Sequence, residues 1–538
     1  MFVVRYLQHL FTMSHAEIEL KLLLPGTDSS RVERQLRALK VFGRRQSQVH
    51  WLWNVYYDTP DQLLRQQRHA LRMRRISDKP PISSRADKAL RGDWIQTFKS
   101  AGMSQGGLSQ RGEWESQETS DRLNPIALKS TPWKDLDPDG LLLSSLQPCF
   151  ETNCRRTTWL LRRYQGASIE VALDVGEIRA GGRSSPILEL ELELKSGPRQ
   201  ALFHLAETIA QEIGVLPCDA SKAERGYRLA SGATDPATRA KSIRLRDRIE
   251  PREAASLVLS DIYGQFTQNL SALCTEDDPE VVHQARVAWR RWTSALRVFS
   301  PWLTPRPDAS GLKPLRTLLG QLRDLDVLRI DTMPTWLPLF AGNDAQRQQI
   351  ADKALLHVDQ ARVALRAQAR FTLSAPSTGM ALVSLAQELS VLAAADPSQE
   401  SLTDETQTPK SGKAKRRHKG HGQWAPKRMS SLRQRLERAS RAGDLPGADL
   451  GDIHRMRLQA KQVRYAAEIL SDLLPKKSTS ALAKKAIKIQ KKIGDDRDLQ
   501  QVVSLLSALD LEPTLQAFFG GVLAARNSSI DAALKSKK

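Results

Sequence analysis

The amino-acid sequence predicts an α+β protein, in which an antiparallel β-barrel with a polar interior precedes an all-helical half. The first observation is the run ILELELELK at Ile187–Lys195, which places Glu189, Glu191 and Glu193 on one face of a strand and leucines on the other. The second is that at least six segments of the N-terminal third pair a charged face with an apolar face. The third is that strand signals stop near residue 231, where helical spacing and an internal repeat begin.

The three glutamates of this run need cations opposite them. Glutamate is a poor strand former, and carboxylates two residues apart on one face repel one another. A solvated sheet face would explain any single charged strand. Six together favour closure into a barrel, with a charged interior and helices covering the apolar exterior.

The predicted elements alternate with turns along the first 230 residues. In chain order the strands are Ala16–Leu23, Trp51–Thr59, Ala70–Arg75, Ile95–Lys99, Arg111–Glu115, an extended segment containing Arg155 and Arg156, Ser168–Asp174 and Ile187–Lys195. Helices are predicted at about Ser29–Leu39 and Arg199–Ile213, and a long loop at Ser77–Asp93. Glu17, Glu19 and Lys21 share one face of the first strand.

The overall charge points to polyanionic partners. The 538 residues include 81 Lys and Arg against 60 Asp and Glu, a net charge of +21. Such a balance favours nucleic acid, polyphosphate or an anionic membrane surface. The four cysteines form no CxxC pair, which indicates a reducing, cytoplasmic setting. No apolar run is expected to cross a bilayer, and Met13 is an alternative start.

A lumen that contains both carboxylates and Arg or Lys side chains suits a polyanion held with divalent metals. Buried charges must be paired or bind something charged. Carboxylate oxygens hold Mg²⁺ or Mn²⁺, and the basic groups grip phosphate oxygens.

The ordered set of charged residues resembles the CYTH family, the triphosphate tunnel metalloenzymes, over about residues 13–230. The residues that carry the resemblance are Glu17-x-Glu19-x-Lys21, Arg72-x-Arg74, Lys99, Arg111-x-Glu113, Asp174, the triple-glutamate strand and Ser221-Lys222. The resemblance implies an eight-stranded tunnel barrel that hydrolyses a triphosphate with Mg²⁺ or Mn²⁺.

The same resemblance implies roles for particular residues. Glu17, Glu19 and Lys21 would be catalytic. Metal ligands would come from Glu17, Glu19, Asp174, Glu189, Glu191 and Glu193; spacing favours Glu189 and Glu191 within the last three, and the register stays open. The substrate phosphates would be held by Lys21, Arg72, Arg74, Lys99, Arg111, Arg156 and Lys222. Arg155 competes with Arg156 for its role, and the Arg-x-x-Trp spacing favours Arg156.

Residues 231–255 are polar and are predicted to be a linker, after which one helical unit is duplicated. VHQARVAWRR at Val282–Arg291 is echoed by IHRMRLQAKQ at Ile453–Gln462, and LGQLRDLDVL at Leu319–Leu328 by IGDDRDLQQV at Ile493–Val502. A solvated helix surface would explain any one basic face. That interpretation weakens because acidic partners four residues away are scarce. The Arg-Asp pairs at 323–324 and 497–498 are predicted to join helices.

These motifs resemble the CHAD family over about residues 256–538, with two halves at 256–396 and 430–538 and a basic low-complexity insert at 397–429. The resemblance implies an all-helical domain of two pseudo-symmetric bundles whose basic cleft binds inorganic polyphosphate. The residues expected to bind it are His283, Arg286, Arg290, Arg297, His454, Arg457, Lys461, Arg464, Lys484, Lys485 and Lys488. Thr293 stands where the second copy has Arg464, so the first half is expected to contribute less charge.

The leading hypothesis is a cytoplasmic, polyphosphate-associated enzyme that hydrolyses inorganic tripolyphosphate to pyrophosphate and phosphate. One alternative is an adenylate cyclase of the CYTH type, which shares nearly every tunnel residue. Another is a non-catalytic polyphosphate-binding protein. A specific nucleic-acid binder does not explain the acidic strand faces, and aromatics form only 6% of the chain. A membrane partner is not expected.

Overall fold

The computed structural model describes residues 16–394 except 27, 44, 81–92 and 233–235, together with 424–443 and 450–535. Within these ranges, the side chains of 443, 450, 454, 491–500 and 526–535 are not described. Met13, most of the loop at Ser77–Asp93 and most of the predicted insert at 397–429 therefore lie outside the described residues. The chain divides into two compact units, residues 1–236 with 373–388, and residues 237–372 with 389–538.

The described residues of the first unit contain ten strands in one antiparallel sheet. They are β1 (Ala16–Leu23), β2 (Ser47–Asp58), β3 (Ala70–Ser77), β4 (Asp93–Lys99), β5 (Met103–Gln105), β6 (Leu108–Glu118), β7 (Gln147–Tyr164), β8 (Ala167–Ala180), β9 (Arg183–Ser196) and β10 (Leu216–Pro217). Eight of them run in the order β1-β9-β8-β7-β2-β3-β4-β6, and β6 pairs back with β1. The predicted closed eight-stranded antiparallel barrel is confirmed.

The register of β1 brings the charged faces of three strands together. On one side Glu17 is opposite Arg111 of β6. On the other side Glu19 is opposite Glu193 of β9, and Lys21 is opposite Glu191. Because side chains alternate along a strand, the intervening leucines must all point the other way. The leucine faces of β1 and β9 are buried, and the helix Gln200–Ala210 packs on these strands.

Within the described part of the chain, helices cover the barrel and build the second unit. The first seven are α1 (Ser29–Ala38), α2 (Leu63–Gln66), α3 (Pro125–Leu128), α4 (Trp133–Leu136), α5 (Leu141–Ser144), α6 (Gln200–Ala210) and α7 (Lys222–Ser231). The remaining ten are α8 (Pro251–Leu273), α9 (Pro279–Val298), α10 (Lys313–Val327), α11 (Met333–Ala341), α12 (Ala345–Leu373), α13 (Pro376–Ala394), α14 (Trp424–Gly443), α15 (Leu450–Ile469), α16 (Lys476–Ala508) and α17 (Pro513–Lys535).

Helix α7 packs against β7, β8 and β9 and carries residues that bear on the barrel interior. Ser221 caps its first turn by accepting a hydrogen bond from the backbone N–H of Glu224. Tyr227 lies edge-on against Phe150, in an apolar cluster that also includes Leu52 and Ile187. This cluster fixes the position of the helix and therefore the backbone position of Lys222 in its first turn.

The sequence repeat maps onto matched helices of the second unit. The two His-containing segments lie in α9 and α15, which pack against each other. The two Gly-containing segments lie in α10 and α16, each of which packs against its preceding partner. The duplicated sequence therefore corresponds to a duplicated pair of helices.

Helix α13 differs from the expectation that no apolar run reaches the length of a bilayer. It is the one helix, among those described, whose length and apolar composition would allow it to span a membrane, and 44% of the relevant window is buried. Its first part belongs to the barrel unit, where Ser384 Oγ donates to Glu207 Oε1 of α6 at 3.5 Å. Packing within a protein accounts for an apolar helix of this kind.

Gly176 of β8 is expected to tolerate no side chain. It pairs with Cys154 of β7, and a Cβ at this position would lie 1.9 Å from the carbonyl oxygen of Asn153. Gly176→Ala should therefore destabilise the protein by about 2–3 kcal/mol, measured by urea unfolding. Gly520→Ala is the control, because nothing lies within 4 Å of the added Cβ in α17. Equal stabilities for the two variants would contradict the close approach of β7 and β8.

Candidate active site

Three carboxylates from β8 and β9 converge inside the barrel. Oxygens of Asp174, Glu189 and Glu191 all lie within 4.8 Å of one another. Asp174 is opposite Glu189 in the strand register, and both are fully buried. We call these three residues the acidic trio. The sequence placed all three among the candidate metal ligands.

Cations from two elements surround the acidic trio. The ammonium of Lys222 lies 2.7 Å from Asp174, 2.5 Å from Glu189 and 2.8 Å from Glu191. Arg156 of β7 forms a two-pronged pair with Asp174 at 2.7 and 2.6 Å, and it also reaches Glu191 at 2.5 Å. These cations supply the opposite charges that carboxylates buried in a barrel require.

The electrostatic balance shows in the pKa values of these groups. Burial opposes ionisation of Asp174 and Glu191, but the charges of Arg156 and Lys222 outweigh it and lower the pKa of both carboxyls. Burial likewise opposes the charge on Lys222, and the three carboxylates raise the pKa of its ammonium well above the usual value. Lys222 and Arg156 thus stabilise the charged forms of Asp174 and Glu191, and the carboxylates stabilise the charged form of Lys222.

Glu17 and Glu19 of β1 lie in the same lumen with different partners. Glu17 accepts hydrogen bonds from Lys99 at 2.9 Å and Arg111 at 3.0 Å. Burial opposes its charge, but these two cations hold the pKa of Glu17 well below its ordinary value. Glu19 lies 3.1 Å from Lys21, whose ammonium is also 3.8 Å from Glu191. Lys21 thus connects β1 to the acidic trio.

Basic side chains of β3, β4 and β6 form the remaining part of the lumen. Arg72 lies near Glu113 and Glu115 of β6, at 3.5 and 3.7 Å. Lys99 lies 3.0 Å from Glu113. We call Arg72, Arg74, Lys99 and Arg111 the basic wall. Each of these four was predicted to hold phosphate.

Arg74 differs from the rest of the basic wall. Its Nε donates to Asn54 Oδ1 at 2.9 Å, and it forms no ion pair with a carboxylate of the described residues. Burial and the neighbouring Arg72 lower the pKa of its guanidinium. An anion that entered the lumen would relieve this excess of positive charge.

Two further predicted residues occupy distinct positions. Glu193 lies one step along β9 from the trio and pairs with Lys195 at 2.7 Å. Arg155 points to Glu33 of α1 at 2.7 Å, whereas Arg156 reaches the acidic trio.

Arg225 of α7 was missed by the sequence reasoning. Its guanidinium donates to Glu189 Oε2 and to the carbonyl oxygen of Pro186, each at 2.6 Å. The spacing of three residues from Lys222 was the available signal, since residues three apart share a helix face. Only the docking of α7 against β9 shows that this face meets Glu189.

The predicted polyphosphate-binding residues of the first repeat lie on α9. Arg286 pairs with Asp324 of α10 at 3.9 Å, so Asp324 joins two helices, as predicted. Burial and the nearby Arg323 lower the pKa of His283, and Arg290 and Arg286 act in the same direction. Arg290 is exposed and Arg297 is half-buried.

The second repeat presents a comparable basic face. Arg457, Lys461 and Arg464 lie on α15, and Arg464 lies 3.8 Å from Glu468, an acidic partner four residues away. Lys484, Lys485 and Lys488 are exposed on α16. The side chains of His454, Arg497 and Asp498 are outside the described part of the chain.

The acidic trio has the donors that a divalent metal requires. Its three converging groups are all carboxylates, and Mg²⁺ and Mn²⁺ favour oxygen ligands. The ammonium of Lys222 already bonds to an oxygen of each, so the site accommodates a cation. The residues therefore fit the metal that the family resemblance implies.

Glu193 is expected to make the stability of the protein depend on pH. Burial raises its pKa from 4.5 to about 7, although Lys195 opposes the shift. Between these pH values the folded protein keeps a proton that the unfolded chain has lost, so stability falls as pH rises through the window. Glu193→Gln should therefore stabilise the protein above pH 7, by on the order of 2 kcal/mol, and have little effect near pH 4. Unfolding from pH 4 to 8 measures the difference, and one that does not change with pH would contradict the raised pKa.

Comparison with known proteins connects both units to described families. Residues 15–227 match the CYTH domain, and residues 258–507 match the CHAD domain. The inorganic triphosphatase of Haemophilus influenzae is 36% identical over 220 residues, which are 40% of this chain and 55% of that protein. The chain thus aligns with about half the length of this curated relative.

Solved structures resemble each part of the chain. The CHAD domain from the plant Ricinus communis is 27% identical, with 56% of this chain and 94% of that chain covered and a TM-score of 0.44. The Hippeastrum protein HpAC1, described as having a dominant triphosphatase activity, is 21% identical, with 41% and 98% covered and a TM-score of 0.29. The two family matches together identify a CYTH domain at residues 15–227 that is followed by a CHAD domain at residues 258–507.

Proposed function

We propose that the barrel hydrolyses inorganic tripolyphosphate with Mg²⁺ or Mn²⁺, and that the helical domain binds longer polyphosphate. The observation that carries the proposal is the acidic trio and the basic wall within one closed barrel. The 36% identity to an inorganic triphosphatase supports the choice of substrate. This chain aligns with about half the length of that relative, so we propose, rather than transfer, the same activity for this chain.

The basic wall would bind and orient the phosphate chain. Arg111 and Lys99 now neutralise Glu17, and Arg72 faces Glu113 and Glu115. Burial and Arg72 lower the pKa of Arg74, so a phosphate bound beside it would favour its charged form. Guanidinium groups bind phosphate oxygens in pairs, which would fix the position of the chain and stabilise charge that develops on its terminal group.

The acidic trio would hold the divalent cation, with Glu17 and Glu19 of β1 and Glu193 of β9 as further candidate ligands. Bound there, a divalent cation would neutralise phosphate charge and favour a nucleophilic water. Asp174, Glu189 and Glu191 are anchored by Arg156 and Arg225, so their oxygens are already directed at one point. A preorganised site of this kind reduces the cost of ordering ligands during binding.

The helical domain would supply a second, lower-specificity contact with polyphosphate. Arg286, Arg290 and Arg323 surround His283, and burial with these charges disfavours protonation of its ring. An anion bound beside His283 would offset these positive charges and favour protonation of the ring. Exposed lysines of α16 would extend the contact along a longer chain.

The direct test is phosphate release from tripolyphosphate, ATP and long-chain polyphosphate in parallel, with Mg²⁺, Mn²⁺ or chelator. Metal-dependent release from tripolyphosphate is the expected result. Cyclic AMP with pyrophosphate from ATP would favour the cyclase alternative. No turnover of any substrate, with polyphosphate still bound, would favour the binding protein.

Glu17→Gln is expected to lower kcat for tripolyphosphate at least about 100-fold, because Glu17 organises Lys99 and Arg111 and is a candidate metal ligand. Binding of long polyphosphate should be unchanged. Glu177→Gln is the matched control, since Glu177 pairs with Arg179 on β8 rather than with the basic wall or the trio. Turnover retained by Glu17→Gln would contradict the role of Glu17.

Replacing Arg290, Arg457 and Lys461 together by Gln is expected to weaken binding of long polyphosphate and flatten its salt dependence. The physical reason is the loss of ion pairs whose formation releases counterions, with a slope of about 0.9 per phosphate contact in the comparable case of DNA. Fluorescence titration at several salt concentrations between about 50 and 200 mM measures the affinity for polyphosphate and the slope of its salt dependence. Arg347→Gln, an exposed site on α12, is the control. An unchanged slope would remove these residues from the binding site.

A further inference from the structure

Lys222 occupies the place in the acidic trio where a metal would coordinate. Its ammonium lies within 2.8 Å of one oxygen of each of Asp174, Glu189 and Glu191. The side chain is almost completely buried, and it comes from α7 rather than from the sheet. Lys222 was predicted only to hold phosphate, and the geometry gives it a second set of partners.

A divalent cation and this ammonium require the same oxygens. The trio contributes three negative charges, which Lys222, Arg156 and Arg225 neutralise by direct ion pairs, while Lys21 pairs with Glu19 and lies farther from Glu191, at 3.8 Å. Adding two positive charges at the centre would leave an excess in a buried site, where charges interact strongly. One of the cations must therefore withdraw.

Lys222 is the cation that can withdraw. Arg156 is held by two parallel hydrogen bonds to Asp174, and Arg225 is held between Glu189 and the Pro186 carbonyl. A planar guanidinium in a two-pronged arrangement resists displacement. A lysine ammonium is a point charge at the end of a flexible four-carbon chain, so it can leave the centre while α7 remains docked.

Arg225, unlike Lys222, does not use the oxygen of Glu189 that a metal in the trio would bind. It contacts only Oε2 of Glu189, at 2.6 Å, whereas Lys222 contacts Oε1. The other prong of its guanidinium binds a backbone carbonyl of β9. Arg225 thus fixes the orientation of Glu189 without using the oxygen that the ammonium uses, as outer ligands of metal sites commonly do.

We propose that α7 controls metal loading through two residues: Lys222 is an internal competitor for the divalent cation, and Arg225 is a positioning residue that holds Glu189 ready for it. The proposal rests on the metal-dependent function proposed above. The ammonium of Lys222 would leave the trio when a divalent cation is held there, and it would then be available to pair with substrate phosphate. Loading of metal and readiness for phosphate are thereby coupled.

The test measures Mn²⁺ affinity of the full chain by calorimetry, without substrate. Lys222→Met should tighten Mn²⁺ binding at least about tenfold, because the competitor and its charge are removed. Arg225→Met should weaken it about tenfold, which is the usual effect of losing an outer ligand. Lys134→Met is the control: Lys134 is exposed on the short helix α4, and none of the described ion pairs joins it to the trio or to Glu193, so a change of about twofold or less is expected.

A second measurement uses the wild-type chain, so that it does not depend on the folding of a variant. Reactivity of Lys222 toward an amine-modifying reagent, mapped by mass spectrometry, should rise on addition of Mn²⁺, with a midpoint equal to the calorimetric dissociation constant. The exposed Lys134 of α4 is the internal reference, and its reactivity should not change. A reactivity of Lys222 that stays constant or falls would overturn the competition.

The outcomes separate this inference from the function on which it rests. If the wild type binds Mn²⁺ and Lys222→Met binds it equally or more weakly, the competitor role is wrong and the metal-dependent function stands. If neither binds Mn²⁺, the metal-dependent function fails, and the inference fails with it. Opposite shifts for Lys222→Met and Arg225→Met support the proposal.

Discussion

The pairing of buried carboxylates with buried cations is the constraint on which the barrel depends. Asp174 and Glu189 are fully buried, and Arg156, Lys222 and Arg225 form the ion pairs that offset the cost of burying their charges. These partners come from separate elements, β7 and α7, so the charges are satisfied only when the barrel has closed and α7 has docked. The electrostatics thus favour one arrangement of strands over slipped alternatives, since a slip of one residue would turn every charge outward.

The same constraint explains why a functional site could be inferred from alternation alone. In the strand predicted and observed at Ala16–Leu23, charged and apolar residues alternate without interruption, and β9 repeats the pattern around Glu189–Glu193. Alternation fixes which side chains share a face, and closure then brings those faces together. The basic residues of β3, β4 and β6 follow by the same reasoning.

What the sequence could not supply was pairing between elements. The sequence indicated only an extended segment containing Arg155 and Arg156, without bounds. In the structure β7 runs from Gln147 to Tyr164, because the neighbouring strands β2 and β8 provide the hydrogen bonds along its length. Arg225 lies on a helix whose polar face is unremarkable until β9 is placed beside it. Short helices such as α3 and α4 have too few residues for a periodic signal, and tertiary packing decides them.

Helix α13 has a consequence for how the chain folds. The segment 373–388 lies within the match to the CHAD domain, yet it packs as part of the barrel unit. In this segment Ser374 approaches Gly214 so closely that a Cβ on the glycine would lie 1.9 Å from the Ser374 carbonyl oxygen. The borders of the two matched sequence domains are therefore not the borders of the two compact units. During synthesis this segment emerges only after about half of the residues matched to the CHAD domain, so a nascent chain that ends at the family boundary would leave the barrel surface around Gly214 and Val215 uncovered.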